Sequence, residues 1–148
     1  KVKNKEFDLS KEEDLSIALM NLISLEEHFY FSAMKTNNKI YLDMLNSVRT
    51  LRKILLKKIV KNPKAEEWCI SKHLLASSMR LMEVGTKELD NNGEEANFYF
   101  KSAFELYSLF FAINLNIIEI KDIKSKESNL FKTKISEIVK KIIDCCKE

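Results

Sequence analysis

Glycine and proline are so scarce in this chain that few kinds of fold are open to it. Two glycines and one proline occur in 148 residues. β-Structure needs turn residues at short intervals, and loop-rich enzymes use glycine where the backbone must approach a ligand closely. The near absence of both residues therefore predicts long helices with short connections. The length fits one domain over residues 1–148, and 45% apolar with 32% charged residues is the composition of a soluble, folded chain.

Apolar residues recur three and four positions apart in four long segments, which is the spacing of amphipathic helices. Short polar links separate these segments, so that consecutive helices are expected to run antiparallel. The pattern predicts an all-α protein, an antiparallel up-down four-helix bundle. The predicted helices span residues 10–36, 39–61, 64–90 and 94–116.

The two ends of the chain extend beyond this bundle. Residues 1–9 are predicted to be a loose N-terminal segment, and residues 117–128 a charged connection. Apolar residues at helical spacing then predict an additional C-terminal helix over residues 129–146. Because the first residue is Lys1 rather than methionine, the sequence leaves open whether residues precede it.

The cysteine count and the lengths of the apolar runs bear on the cellular location of the protein. Three cysteines occur without the spacing of a disulfide framework. No apolar run has membrane-spanning length, and no signal peptide is visible. We therefore expect a cytoplasmic protein that does not enter a membrane.

The third predicted helix carries a row of small residues. Ser71, Ser78 and Gly85 recur every seven residues, and such a seam lets a neighbouring helix approach closely. Apolar residues flank the seam on both sides. We expect this helix to be the most enclosed one and to contact every other helix of the bundle.

Several polar residues are predicted to meet at mid-height of the bundle. When consecutive predicted helices are aligned at the links between them, several inward-facing charged residues and one tyrosine lie at a similar height along the bundle axis. This candidate polar centre comprises Glu26, Arg49, Arg52, Lys72, His73, Arg80, Glu83 and Tyr107. It has two interpretations: a structural network in which the glutamates neutralise Arg52 and Arg80, or a site whose surplus guanidinium groups bind a carboxylate or phosphate ligand.

Catalytic and metal chemistry are only weakly indicated. Cys69 and His73 lie four residues apart, a spacing that could form a thiolate–imidazole pair on one helix. Carboxylate-bridged metal bundles need Glu three residues before His, where this chain has Leu25 and Ile70. The sequence also lacks a glycine-rich phosphate loop and a Cys-x-x-Cys pair. It predicts no metal and no cofactor, and leans against an enzyme.

A run of seven basic residues without an acid extends from Met44 to Ala65. One interpretation is nucleic-acid binding through the second helix, by Lys53, Lys57, Lys58, Lys61 and Lys64. The other is that these lysines complement the helix dipole and the nearby acids Glu12, Glu13 and Asp14 of the first helix.

The fourth predicted helix carries seven aromatic residues, which point to more than one side. The C-terminal helix or a second copy of the protein is expected to cover them. The leading functional prediction is therefore a non-enzymatic protein that acts through protein–protein contacts or self-association, as a homodimer, through its last two helices.

Overall fold

The computed structural model describes residues 9–116, which fold into four α-helices without any β-strand in that range. None of these helices is both long and apolar enough to cross a bilayer. The predicted all-α class and the four-helix pattern are confirmed. The helices are α1 (Ser10–Thr36), α2 (Ile40–Leu56), α3 (Glu67–Glu88) and α4 (Gly93–Asn114).

Three sequence predictions fall outside the described residues. They are residues 1–8 of the predicted loose segment 1–9, the charged connection 117–128 and the C-terminal helix 129–146. The last residue of the predicted loose segment, Leu9, is described and buried in the core, so the prediction is wrong at that position. The fold described below is therefore that of the four helices and their links.

The link between α1 and α2 is a tight turn formed by asparagines. Asn37 adopts a left-handed backbone conformation with φ of 53°, and its N–H donates to the carbonyl of Ala33 at 2.9 Å. The Asn38 side chain accepts a hydrogen bond from the N–H of Ile40 at 3.0 Å. Asparagine tolerates the left-handed region better than other residues with a side chain. The turn reverses the chain and makes α1 and α2 antiparallel.

The link between α2 and α3 is longer than the sequence predicts. α2 ends at Leu56 rather than at residue 61, and α3 begins at Glu67 rather than at residue 64. After Leu56 the backbone tightens, and the turn buries Ile59 and Val60 in the core. Burial of these two β-branched side chains favours the tight turn over a longer helix.

The helices form two antiparallel hairpins, α1 with α2 and α3 with α4, and α1 packs across onto α3. The core lies between the hairpins and holds large aliphatic and aromatic side chains. Its buried members are Leu19, Met20, Ile23, Leu56, Ile59, Val60, Leu74, Leu75, Phe110, Phe111, Ala112 and Ile113.

The small-residue seam of α3 is confirmed as the contact with α4. Ser71, Ser78 and Gly85 are all buried. The Ser78 hydroxyl donates to the carbonyl of Ala103 at 2.9 Å. A Cβ atom added at Gly85 would lie 2.8 Å from Cε1 of Phe100, so the glycine is what admits this ring. Small side chains therefore set the closeness of the α3–α4 pair.

The prediction that α3, as the most enclosed helix, lacks a wide solvent-exposed face is wrong. Cys69, His73 and Ser77 form an exposed face on α3. The physical reason is that α2 packs mainly on α1 and leaves this flank of α3 open to solvent. α1 contacts all three other helices through the polar contacts described next.

Candidate functional site

Three polar side chains of α1 each contact a different helix. Glu26 binds Arg52 of α2, Glu27 binds α3, and Ser16 binds α4. α1 can reach three neighbours because consecutive residues of a helix point in different directions. The three contacts fix the position of α1 relative to both hairpins.

The contact between Glu26 and Arg52 is a buried, two-pronged ion pair. Nε of Arg52 donates to Oε2 of Glu26 at 2.8 Å, and Nη2 donates to Oε1 at 2.9 Å. The two side chains are 5% and 13% exposed, respectively. This is the pair that the sequence predicts for the structural network, and its geometry is the strong bidentate form of the arginine–carboxylate contact.

The contact between Arg80 and Glu27 lies at the surface. Nε and Nη2 of Arg80 both donate to Oε2 of Glu27, at 3.1 and 2.8 Å. The side chains are 51% and 42% exposed, so water screens their attraction. The predicted partner of Arg80 was Glu83, which is exposed and forms no ion pair in the described part of the chain.

The third contact joins two hydroxyls. The Ser16 hydroxyl donates its proton to the carbonyl of Glu13 at 2.6 Å. Tyr107 therefore donates to Oγ of Ser16, at 2.6 Å. Burial disfavours the charged phenolate and raises the pKa of Tyr107 to about 12. A neutral, hydrogen-bonded tyrosine with so high a pKa is a structural link rather than a proton-transfer group at neutral pH.

The eight residues of the predicted polar centre do not form one cluster of contacts. Glu26 and Arg52 are the one pair among them joined by hydrogen bonds within residues 9–116. Arg49 and His73 are exposed, and Lys72 is half-buried. The free thiol of Cys69 is also exposed, and no hydrogen bond joins it to His73 in the described region.

This arrangement weakens the argument for an anion site at mid-height. An anion site there would need surplus guanidinium groups, but Glu26 neutralises Arg52 and Glu27 neutralises Arg80. Binding of a carboxylate or phosphate there stays a prediction. Among residues 9–116, no three His, Cys, Asp or Glu side chains are arranged to hold a metal ion.

Two residues of these contacts, Ser16 and Glu27, are absent from the sequence prediction. They lie on one face of α1 with the buried residues Met20 and Ile23, at successive spacings of four, three and four. The helical spacing of this second face is the feature from which the position of Ser16 and Glu27 towards the neighbouring helices could have been predicted. The prediction used the neighbouring face instead, because the apolar residues around Glu26 recur more regularly.

The basic residues around the end of α2 separate into two groups. Lys53, Lys57 and Lys61 line a groove together with Trp68 at the start of α3. Lys58 and Lys64 are exposed but do not line the groove. The predicted neutralisation by the start of α1 is not seen: no lysine of this run forms an ion pair with Glu12, Glu13 or Asp14 in the described part of the chain.

The outer face of α2 carries an apolar stripe that no other described helix covers, defined by Ile40, Met44, Leu51 and Ile54. These side chains are 54%, 42%, 48% and 55% exposed. Apolar periodicity predicts Met44 and Leu51 on the inner face of α2 together with Leu45, Val48 and Leu55, and the exposure of both residues shows that this prediction is wrong. The apolar arc of α2 is wider than one neighbouring helix can cover, and α1 covers the side with Arg52 and Leu56.

Comparison of this chain with protein-family models, with curated proteins and with solved structures finds no match.

Proposed function

We propose that the protein acts by self-association through the stripe of α2, forming a homodimer without catalytic chemistry of its own. The observation that carries the proposal is the stripe itself: four large apolar side chains, each about half exposed, along one face of one helix. Contiguous exposed apolar patches of this kind mark interaction surfaces. The exposed apolar side chains favour α2 over α4, where the buried Phe110 and Phe111 are already covered.

The residue order along the stripe supports a second copy as the partner. Ser47 lies at the centre of the stripe, with Ile40 and Ile54 seven residues to either side. Met44 lies three residues before Ser47, and Leu51 four residues after it. Read in either direction, the stripe presents nearly the same series of side chains. A two-fold axis at Ser47 would therefore place Ile40 opposite Ile54 of the second copy, and Met44 one residue away from the position opposite Leu51.

The central serine is suited to such an axis. Its side chain is small, which allows two helices to approach closely at the crossing point. Its hydroxyl already donates to the carbonyl of Asp43 at 3.1 Å, so burying Ser47 in the interface would not leave the hydroxyl without an acceptor. Ser47 therefore interrupts the apolar stripe without opposing the association.

The charge distribution favours an antiparallel pair of α2 helices. The basic run extends from Met44 towards the end of the helix, whereas Asp43 lies near its start. A parallel pair would bring the two lysine-rich ends together, and like charges at close range oppose association. An antiparallel pair moves these ends to opposite sides of the dimer.

The expected dimer depends on concentration. One face of a 17-residue helix is a small interface compared with the roughly 1,200–2,000 Å² that stable complexes bury. Dissociation on dilution is therefore part of the proposal. A cytoplasmic location is proposed together with it, supported by the free thiol of Cys69.

Sedimentation velocity over a range of protein concentrations tests the proposal. The wild type should shift from monomer to dimer as concentration rises, and Leu51→Lys should remain a monomer with the same helical content. Phe98→Lys is the matched control, because Phe98 is an exposed apolar residue on α4, at 61% exposure. A wild type that stays monomeric would overturn the proposal. Dissociation by Phe98→Lys but not by Leu51→Lys would instead assign the interface to α4.

A further inference from the structure

A basic groove with one aromatic wall lies where α2 ends and α3 begins. Its volume is about 660 Å³. Lys53, Lys57 and Lys61 provide its charge, and Trp68 lines it. No carboxylate lines the groove in the described part of the chain. The remaining lining residues are Val60, Asn62 and Pro63.

The positive charge of the groove is not cancelled within the described residues. Lys53, Lys57 and Lys61 are exposed, and none forms an ion pair with another residue in the range 9–116. The end of α2 contributes a negative partial charge of about half an elementary charge, which offsets only a small part of three ammonium groups. The groove therefore attracts anions.

Trp68 gives the groove a second property. The residue is half-buried and packs against the hydrophobic core, so the core holds its ring in place. A fixed aromatic ring at the edge of a positive groove is the combination by which proteins bind single strands of nucleic acid, with bases on the ring and phosphates on the lysines.

We propose that this groove binds single-stranded nucleic acid. Lys53 and Lys57 are separated by one helical turn, a rise of about 6 Å, so that their ammonium groups can contact different phosphates of one strand. Lys61 lines the same groove from beyond the end of α2. The groove and the apolar stripe share no residue, so strand binding does not depend on the dimer.

The single tryptophan makes the binding directly measurable. Trp68 is the one tryptophan of the chain, so its fluorescence reports on this groove alone. Titration of the full chain with unlabelled oligouridylate or oligothymidylate should quench the emission in a saturable way. With three phosphates neutralised, affinity should fall about 20-fold between 50 and 200 mM salt. The double variant Lys57→Gln, Lys61→Gln should lose most of the binding and flatten the salt dependence.

Two controls distinguish binding in the groove from general charge attraction and from dimer formation. Lys35→Gln, Lys101→Gln removes the same charge from exposed positions on α1 and α4 and should bind like the wild type. Leu51→Lys should also bind the strand, which separates this inference from the proposed dimer. Thermal unfolding followed by circular dichroism verifies that each variant is folded.

Three outcomes would overturn the inference. One is the absence of quenching by either oligonucleotide at low salt. Another is an equal loss of binding in the Lys35 and Lys101 control, which would show diffuse attraction to the whole surface. The third is displacement of the strand by inorganic polyphosphate of equal charge at equal concentration, which would show that the bases contribute nothing.

Discussion

Arg52 and Glu26 join α2 to α1 through two parallel hydrogen bonds, in a contact that is almost completely removed from water. The distances are 2.8 and 2.9 Å, and the arginine side chain is only 5% exposed. A carboxylate and a guanidinium at such a depth are each costly alone and are compatible with the fold only as a pair. The pair therefore fixes the register of α2 on α1.

Replacing Arg52 by Met should destabilise the protein strongly. The change leaves the Glu26 carboxylate buried without its partner. Removing one member of a buried ion pair lowers the free energy of unfolding by about 3 kcal/mol. Urea unfolding followed by circular dichroism measures the loss. Combining Arg52→Met with Glu26→Leu should recover much of the stability, because no charge then remains buried.

The exposed ion pair supplies the matched control for this prediction. Arg80→Met removes the same type of side chain from the pair with Glu27, and the expected change is below about 1 kcal/mol because both partners are solvated. Equal losses for Arg52→Met and Arg80→Met would contradict the assignment of a buried and a surface pair.

The Glu26–Arg52 pair could be predicted from sequence because it depends on helix lengths and turn positions. The turn at Asn37 is encoded by turn-forming residues, and it places both side chains at one level on facing helices. The seam of Ser71, Ser78 and Gly85 could be predicted for a related reason, since small residues at a repeat of seven stay on one helical face.

Other features depend on which helices become neighbours, and a single sequence does not determine that. Met44 and Leu51 continue the apolar arc of α2, so periodicity alone cannot separate the side that α1 covers from the side left open. The partner of Arg80 is Glu27 rather than Glu83 because α1, a distant segment of the chain, packs against α3. Such long-range packing overrides the local spacing on which the sequence prediction depended.

Gly85→Ala should lower stability although alanine is the better helix former. The new Cβ would lie 2.8 Å from Cε1 of Phe100, and overpacking of this kind costs roughly 1–3 kcal/mol. The gain in helix propensity is only about 1 kcal/mol. Thermal unfolding should show the loss, and Phe100→Leu in the same chain should reduce it by providing space.

Gly93 is the control for this substitution. A Cβ at Gly93 meets no atom within 4 Å, and its backbone is not in the positive-φ region. Gly93→Ala should therefore stabilise the protein by about 0.5 kcal/mol through the lower entropy of the unfolded chain. Stabilisation by both alanines would show that the ring of Phe100 moves aside freely.

Stability should fall at high pH because of Tyr107. Its pKa is raised from 10.0 to about 12, so the unfolded chain loses this proton at lower pH than the folded protein does. The contribution is complete below pH 10 and is lost as pH rises through about 12, a change on the order of 2 kcal/mol. Comparing urea unfolding of wild type and Tyr107→Phe at pH 9 and pH 12 isolates this residue from the lysines. If the unfolding free energies of wild type and Tyr107→Phe differ by the same amount at both pH values, the raised pKa of Tyr107 is contradicted.

Cysteine crosslinking should distinguish the orientation of the proposed α2 pair. Because Ser47 lies at the centre of the stripe, Ser47→Cys faces its counterpart in a parallel or an antiparallel pair, so this variant should form a disulfide-linked dimer on oxidation. Ile40→Cys lies opposite itself only in a parallel pair and should remain unlinked, whereas Ile40→Cys combined with Ile54→Cys should link two copies. The three native cysteines are first replaced by serine, and non-reducing electrophoresis reads the result. Efficient linkage of the single Ile40→Cys variant would show that the helices run parallel, against the charge argument that separates their basic ends.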